Sequence, residues 1–140
     1  MKKYDCIIGV DPGTKTGFAV WLPEQKRLHM VETFGILDAI EWVKKFGCHY
    51  DNILVRIENP NLRKQFGDTG RERLQGAGSI KRDFAIWKEF LEGCNMEYQE
   101  IAPNQLKTKV KPDYFKKLTT WKARTSTHSR DAAMMVYGYQ

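Results

Sequence analysis

The reading of residues 5–34 decides the fold: DCIIGVD (5–11), the turn Pro12-Gly13-Thr14, TGFAVWL (16–22), the turn Pro23-Glu24-Gln25, then LHMVETF (28–34). The first run is apolar between charged ends and reads as a buried strand bounded by turn residues. The next two runs read as strands of similar length. Three strands joined by two short turns argue an antiparallel meander.

Beyond residue 35 the period changes. Ile36, Leu37, Ile40, Val43 and Phe46 follow helical spacing, and Asp38 and Glu41 sit toward the start, where the helix dipole favours acids. Gly47 is the expected stop of this helix. NILVRI (52–57) is a fourth strand that ends at Glu58-Asn59-Pro60, and a polar stretch, 61–75, follows. A second helix is expected over 76–93, with Ile80, Phe84, Trp87, Phe90 and Leu91 on one face. EYQEI (97–101) is a short fifth strand, and Pro103 can start a helical turn. A last helix is expected over 127–139, with Ala132, Met135, Val136 and Tyr139 as its stripe. The order β-β-β-α-β-α-β-α predicts one α/β domain, 1–140, with a mixed sheet and helices on both faces.

Composition bounds the function classes. The chain has 140 residues, of which 41% are hydrophobic and 29% charged, enough to build a packed core. No window approaches eighteen apolar residues, and the N-terminus lacks the apolar core of a secretory signal. A cytoplasmic setting is expected, in a bacterial cell or in its host if the chain is phage-encoded. Cys6, Cys48 and Cys94 form no CxxC pair, so neither a zinc ribbon nor a disulfide framework is expected; Cys6 reads as a core residue.

The net charge of +6 is unevenly placed. Residues 1–60 are neutral, with 8 basic and 8 acidic side chains, so residues 61–140 carry the whole excess. Between 105 and 130 stand Lys107, Lys109, Lys111, Lys116, Lys117, Lys122, Arg124 and Arg130 against Asp113 alone. A polyanion is the natural partner of such a segment.

Three acids close core elements. Asp11 ends the first strand at a Pro-Gly turn, where turn chemistry alone could also place an Asp. Glu58 ends the fourth; if that strand lies parallel beside the first, both acids emerge at one sheet edge, where α/β sheets bind ligands. Asp131 lies early in the last helix, three residues after His128 and on the same helix face. Ser126 or Thr127 can cap that helix. Ala132 and Ala133 are small enough to let it approach the sheet closely. Clustered carboxylates repel one another unless a cation joins them. Oxygen ligands with one imidazole suit Mg²⁺ or Mn²⁺, and two such ions can activate water and stabilise the leaving oxygen in phosphodiester hydrolysis.

With these residues in place, the chain resembles the RuvC-type Holliday junction resolvases of the RNase H-like superfamily. The segment from Ile8 to Ala19, IGVDPGTKTGFA, is similar to their first motif, and Val55-Arg56-Ile57-Glu58 to their second. Gly76-Ala77-Gly78-Ser79 and the helix after it resemble the family's long helix. Ile101-Ala102-Pro103-Asn104-Gln105-Leu106-Lys107 resembles its strand-Pro-x-x-x-Lys segment, and His128-Ser129-Arg130-Asp131-Ala132-Ala133 its closing motif. The resemblance implies an RNase H-like fold, a five-stranded mixed sheet whose first three strands are antiparallel. It implies Asp11, Glu58 and Asp131 as catalytic, metal-binding carboxylates. His128 stands where a fourth acid is frequent, and an imidazole there can ligate metal or handle a proton. It also implies a homodimer that cuts four-way DNA junctions.

The expected DNA contacts follow from charge and position. Arg63, Lys64, Arg71 and Arg73 lie in the stretch after Glu58, with Phe66 placed to stack on or wedge between bases, or to pack on the protein itself. Lys107, Lys109 and Lys111 suit phosphates. Lys15, after Asp11, and Lys81, in the second helix, complete the set. Trp121 could stack on a base or anchor the core. The leading reading is a Mg²⁺-dependent endonuclease that cleaves branched DNA by attack of activated water on phosphorus. Two alternatives stand beside it: an RNase H-like nuclease acting on structured RNA, like the YqgF-type relatives, and an inactive nucleic-acid-binding module.

Overall fold

The computed structural model describes residues 3–62, 71–103 and 110–140, with side chains from residue 78 onward in the middle stretch. The described elements are β1 (Cys6–Asp11), β2 (Lys15–Leu22), β3 (Arg27–Gly35), α1 (Ile36–His49), β4 (Ile53–Glu58), a 3₁₀ turn (Pro60–Leu62), α2 (Arg71–Gly93), β5 (Tyr98–Ile101), α3 (Pro112–Thr119) and α4 (Thr127–Met134). The sheet order is β3-β2-β1-β4-β5. β1, β2 and β3 pair antiparallel, whereas β4 pairs parallel with β1 and β5 parallel with β4. The meander and the parallel crossover agree with the sequence reading.

β1 is the central strand, and all six of its residues are buried. Its alternation feeds two cores. Cys6, Ile8 and Val10 join Phe18, Val20 and Leu22 under Ala39, Val43 and Phe46 of α1 and Phe84, Trp87 and Leu91 of α2. Ile7 joins Ala19, Trp21 and Leu54 under Phe115 of α3 and Ala132, Ala133 and Val136 of α4. Helices therefore cover both faces. Cys6 is fully buried as expected, and burial pushes its thiol up to about 12. No helix among the described residues is long and apolar enough to cross a membrane.

Several boundaries differ from the sequence reading. α1 runs through Gly47 to His49, because Tyr50 still donates its N–H to the Phe46 carbonyl. Its buried stripe is Ala39, Val43 and Phe46, while Leu37 is 78% exposed. α2 starts at Arg71 rather than 76, and Ile80 faces solvent. α3 was not expected. It buries one residue, Phe115, among exposed lysines, too little apolar periodicity to read, although Pro112 in its first turn is a start signal. The last helix stops at Met134, and residues 135–138 turn back, with Gly138 at φ 77°.

Candidate active site

The last paired rung between parallel β1 and β4 is Val10 against Ile57. One residue on, Asp11 and Glu58 end their strands side by side. Counting in twos from Ile7 and from Leu54 assigns both acids to the α4 face of the sheet. The turns behind them are pinned. Thr16, fully buried, donates its hydroxyl to the Gly13 carbonyl at 2.8 Å. Asn59, also buried, accepts from the Asn61 N–H at 2.8 Å and donates its amide to Glu100 at 3.1 Å, which fixes the chain as it leaves Glu58.

α4 lies over this edge. Ser126 caps it in a reciprocal box: its hydroxyl accepts from the Ser129 N–H, and the Ser129 hydroxyl accepts from the Ser126 N–H. The capped first turn carries His128, whose Nδ1 stands 3.1 Å from Oδ2 of Asp11. Asp11 is 9% exposed, while the imidazole is about half exposed, so the pair joins a buried acid to a group open to solvent. Asp131, half-buried, is three residues further on the same side of the helix.

The helix can lie this close because the sheet beneath it is glycine. A side chain on Gly17 would collide with the main-chain oxygen of His128, and one on Gly9 with that of Ala132. Sequence reasoning found the small residues on the helix and missed their counterparts in the strands. The available signal was a glycine inside each strand pattern, which marks close backbone approach.

Arg130 departs from its expected place in the basic surface. It is 7% exposed and donates to the carbonyls of Val110 (2.9 Å) and Thr125 (3.2 Å) and to the hydroxyls of Thr125 and Thr127. It staples the incoming chain to α4. Arg56 is likewise inward. It donates to the Met135 carbonyl at 2.7 Å with its guanidinium 5.0 Å from the centre of the Tyr139 ring, and burial pulls its pKa down. Trp121 packs against the α3/α4 core, the anchoring alternative.

The expected DNA contacts are spread more widely. Lys15 is exposed at the start of β2, beyond the turn that follows Asp11. Lys111 is exposed at the N-cap of α3. Lys81 is exposed on α2, whose core residues pack on the sheet face opposite α4. Arg71 and Arg73 lie in the first turn of α2. Arg63, Lys64, Phe66, Lys107 and Lys109 fall outside the described residues.

Asp11, Glu58, Asp131 and His128 make a donor set of hard oxygens and one imidazole, whose chemistry fits Mg²⁺ or Mn²⁺. Among the described residues, no three His, Cys, Asp or Glu side chains converge as a group that could hold a metal ion. Within this set, Asp11 and Glu58 end adjacent strands and His128 Nδ1 stands 3.1 Å from Asp11 Oδ2.

No family model matches the sequence, and no curated protein does. The structure is similar to that of T. thermophilus RuvC in complex with Holliday junction substrate. The TM-score is 0.57 at 16% sequence identity, over 91% of this chain and 87% of that one. The β3-β2-β1-β4-β5 sheet with its antiparallel first three strands is thus the RNase H-like fold of RuvC.

Proposed function

We propose that this chain is a metal-dependent, structure-selective endonuclease that cleaves branched DNA, four-way junctions in particular, as a homodimer. The observation that carries the reading is the carboxyl edge of β1 and β4. Two carboxylates end adjacent parallel strands there, and an imidazole from α4 reaches the first of them. The likeness to a RuvC structure solved with a junction supports the choice of substrate.

Asp11, Glu58 and Asp131 would hold the divalent cation, with His128 as a fourth donor or as the group that moves a proton. A bound cation would lower the pKa of water and offset the charge that builds on the phosphate. Asp11 is held by burial and by the pinned turn behind it, so it offers a fixed acceptor. With Nδ1 engaged by Asp11, Nε2 is the nitrogen through which His128 would exchange a proton with substrate. Lys15 and Lys111 would bind phosphates and set position rather than sequence.

The test is cleavage of a four-way DNA junction with Mg²⁺ and with EDTA, by wild type and Asp11→Asn. Wild type should cut with Mg²⁺ alone, and Asp11→Asn should bind the junction without cutting it. Undiminished cleavage by the variant would overturn the mechanism. Cleavage of structured RNA in place of the junction would favour the RNA-directed reading, and metal binding with no cleavage of either would favour a binding module.

A further inference from the structure

One rung of the sheet touches the first turn of α4 at three successive points. In the antiparallel registers Asp11 pairs with Gly17, and Gly17 pairs with Thr33. Directly opposed residues of antiparallel strands point to the same face. Thr33 bonds hydroxyl to hydroxyl with Ser126, the N-cap. Gly17 lies under the main-chain oxygen of His128; a Cβ built there would fall well inside 3.0 Å of that oxygen and 3.1 Å from Cβ of Asp11. Asp11 meets the His128 ring. The rung therefore fixes where the helix starts, how close its backbone lies, and where its imidazole points.

We infer that Thr33 and Gly17 are positioning residues of the site, setting the depth and rotation of α4 so that His128 and Asp131 face Asp11. This rests on the proposed nuclease reading. Neither residue needs to touch substrate. Gly17 acts by having no side chain: any Cβ lifts the helix, because the obstacle is backbone and cannot rotate away. Thr33 acts through its hydroxyl, which holds the cap from the far edge of the meander. Gly9 provides the contrast. It seats the same helix one turn along, under Ala132 and 3.1 Å from Val136 Cγ1 for a built Cβ, where the nearest atoms belong to neither His128 nor Asp11.

The experiment measures junction cleavage with Mg²⁺, junction binding in EDTA and thermal unfolding for Thr33→Val, Thr33→Ser, Gly17→Ala and Gly9→Ala. Thr33→Val keeps the shape and removes the hydroxyl. It should lower kcat by up to about tenfold at unchanged KM, the worth of a lost cap expressed at the site. Thr33→Ser should restore kcat. Gly17→Ala should cost on the order of a hundredfold in kcat, as an ångström-scale displacement of a reacting group does, with junction affinity in EDTA within about twofold of wild type. Gly9→Ala should destabilise the fold as much and lose less kcat. The inference is overturned if Thr33→Val cleaves like wild type, if serine fails to restore it, or if Gly17→Ala and Gly9→Ala lose cleavage and binding in parallel with stability. A wild type that binds junctions and never cleaves them would instead overturn the nuclease reading, and the two failures are distinct.

Discussion

The two faces of the sheet hold their helices by opposite means. Against α1 and α2 stands an aromatic layer: Phe18 meets Phe34 at 5.7 Å and Phe46 at 6.4 Å, Phe34 stacks on Trp42, and Trp87 meets Phe90 at 6.1 Å. Where α4 lies nearest the strands, Gly9, Gly17 and Ala19 face Ala132 and Ala133, while Trp21 and Phe115 fill the rest of that side. Bulky side chains hold a helix at a distance and stabilise it by burial, which is non-directional. Bare backbone lets a helix settle onto the strands and fixes the first turn to a fraction of an ångström, which a site needs and a core does not. The aromatic face should therefore tolerate volume-conserving change, and the glycine face should not.

The largest effect separates chemistry from folding on the glycine face. Asp11→Asn keeps the side-chain volume and removes the charge that would bind a cation. Cleavage should fall on the order of a thousandfold while the unfolding midpoint stays near that of wild type. A variant that unfolds as it loses activity would make Asp11 a structural acid and erase the contrast between the faces.

On the aromatic face the expected loss is stability. Trp87 is fully buried, and Trp87→Ala should cost about 3–5 kcal/mol in urea unfolding. Its indole N–H has no hydrogen-bond acceptor among the described residues, so Trp87→Phe gives up packing alone and should cost less. Equal losses for the two variants would show that the ring volume a phenylalanine keeps contributes nothing to stability at this position.

Much of this was legible in the sequence, for identifiable reasons. β1, β2 and β4 are short apolar runs buried along most of their length, and turn residues mark most strand ends. Asp11 and Glu58 stood out because acids close otherwise apolar runs. The rest depended on contacts between segments far apart in the chain. Nothing near Gly17 announces that residue 128 lies on it. Arg130 reads as one more cation in a basic segment, and only the fold shows its acceptors 3 to 20 residues away. α3 escaped because one buried residue in eight sets no period.

That misreading of Arg130 gives the next test. Arg130→Met should destabilise the fold by about 2–4 kcal/mol, since the Val110 and Thr125 carbonyls lose a buried donor. The salt dependence of junction binding should stay that of wild type. Lys111→Ala should behave the other way. Stability should hold, affinity should drop a few-fold, and the slope of log affinity against log salt should shrink by about one. An unchanged slope for Lys111→Ala would remove it from the DNA surface.

The smallest effect concerns a side chain that the aromatic face hides completely. Cys6 is buried under α1 and α2, whereas Cys48 and Cys94 are exposed thiols. At pH 8 an alkylating reagent should modify Cys48 and Cys94 in the folded protein and reach Cys6 only through unfolding, read as two adducts by mass spectrometry. The same burial sets a pH dependence. The thiol keeps its proton up to about 12 in the folded chain against 9.0 when exposed, so the folded state binds the proton more tightly. This contribution to stability is complete below pH 9 and declines between pH 9 and 12, as the unfolded chain ionises and the folded one does not. Cys6→Ala should flatten the decline slightly in that window and leave stability at pH 7 lower by the lost packing of one small side chain. A third adduct at native pH would mean that the aromatic face opens on its own and is the looser of the two.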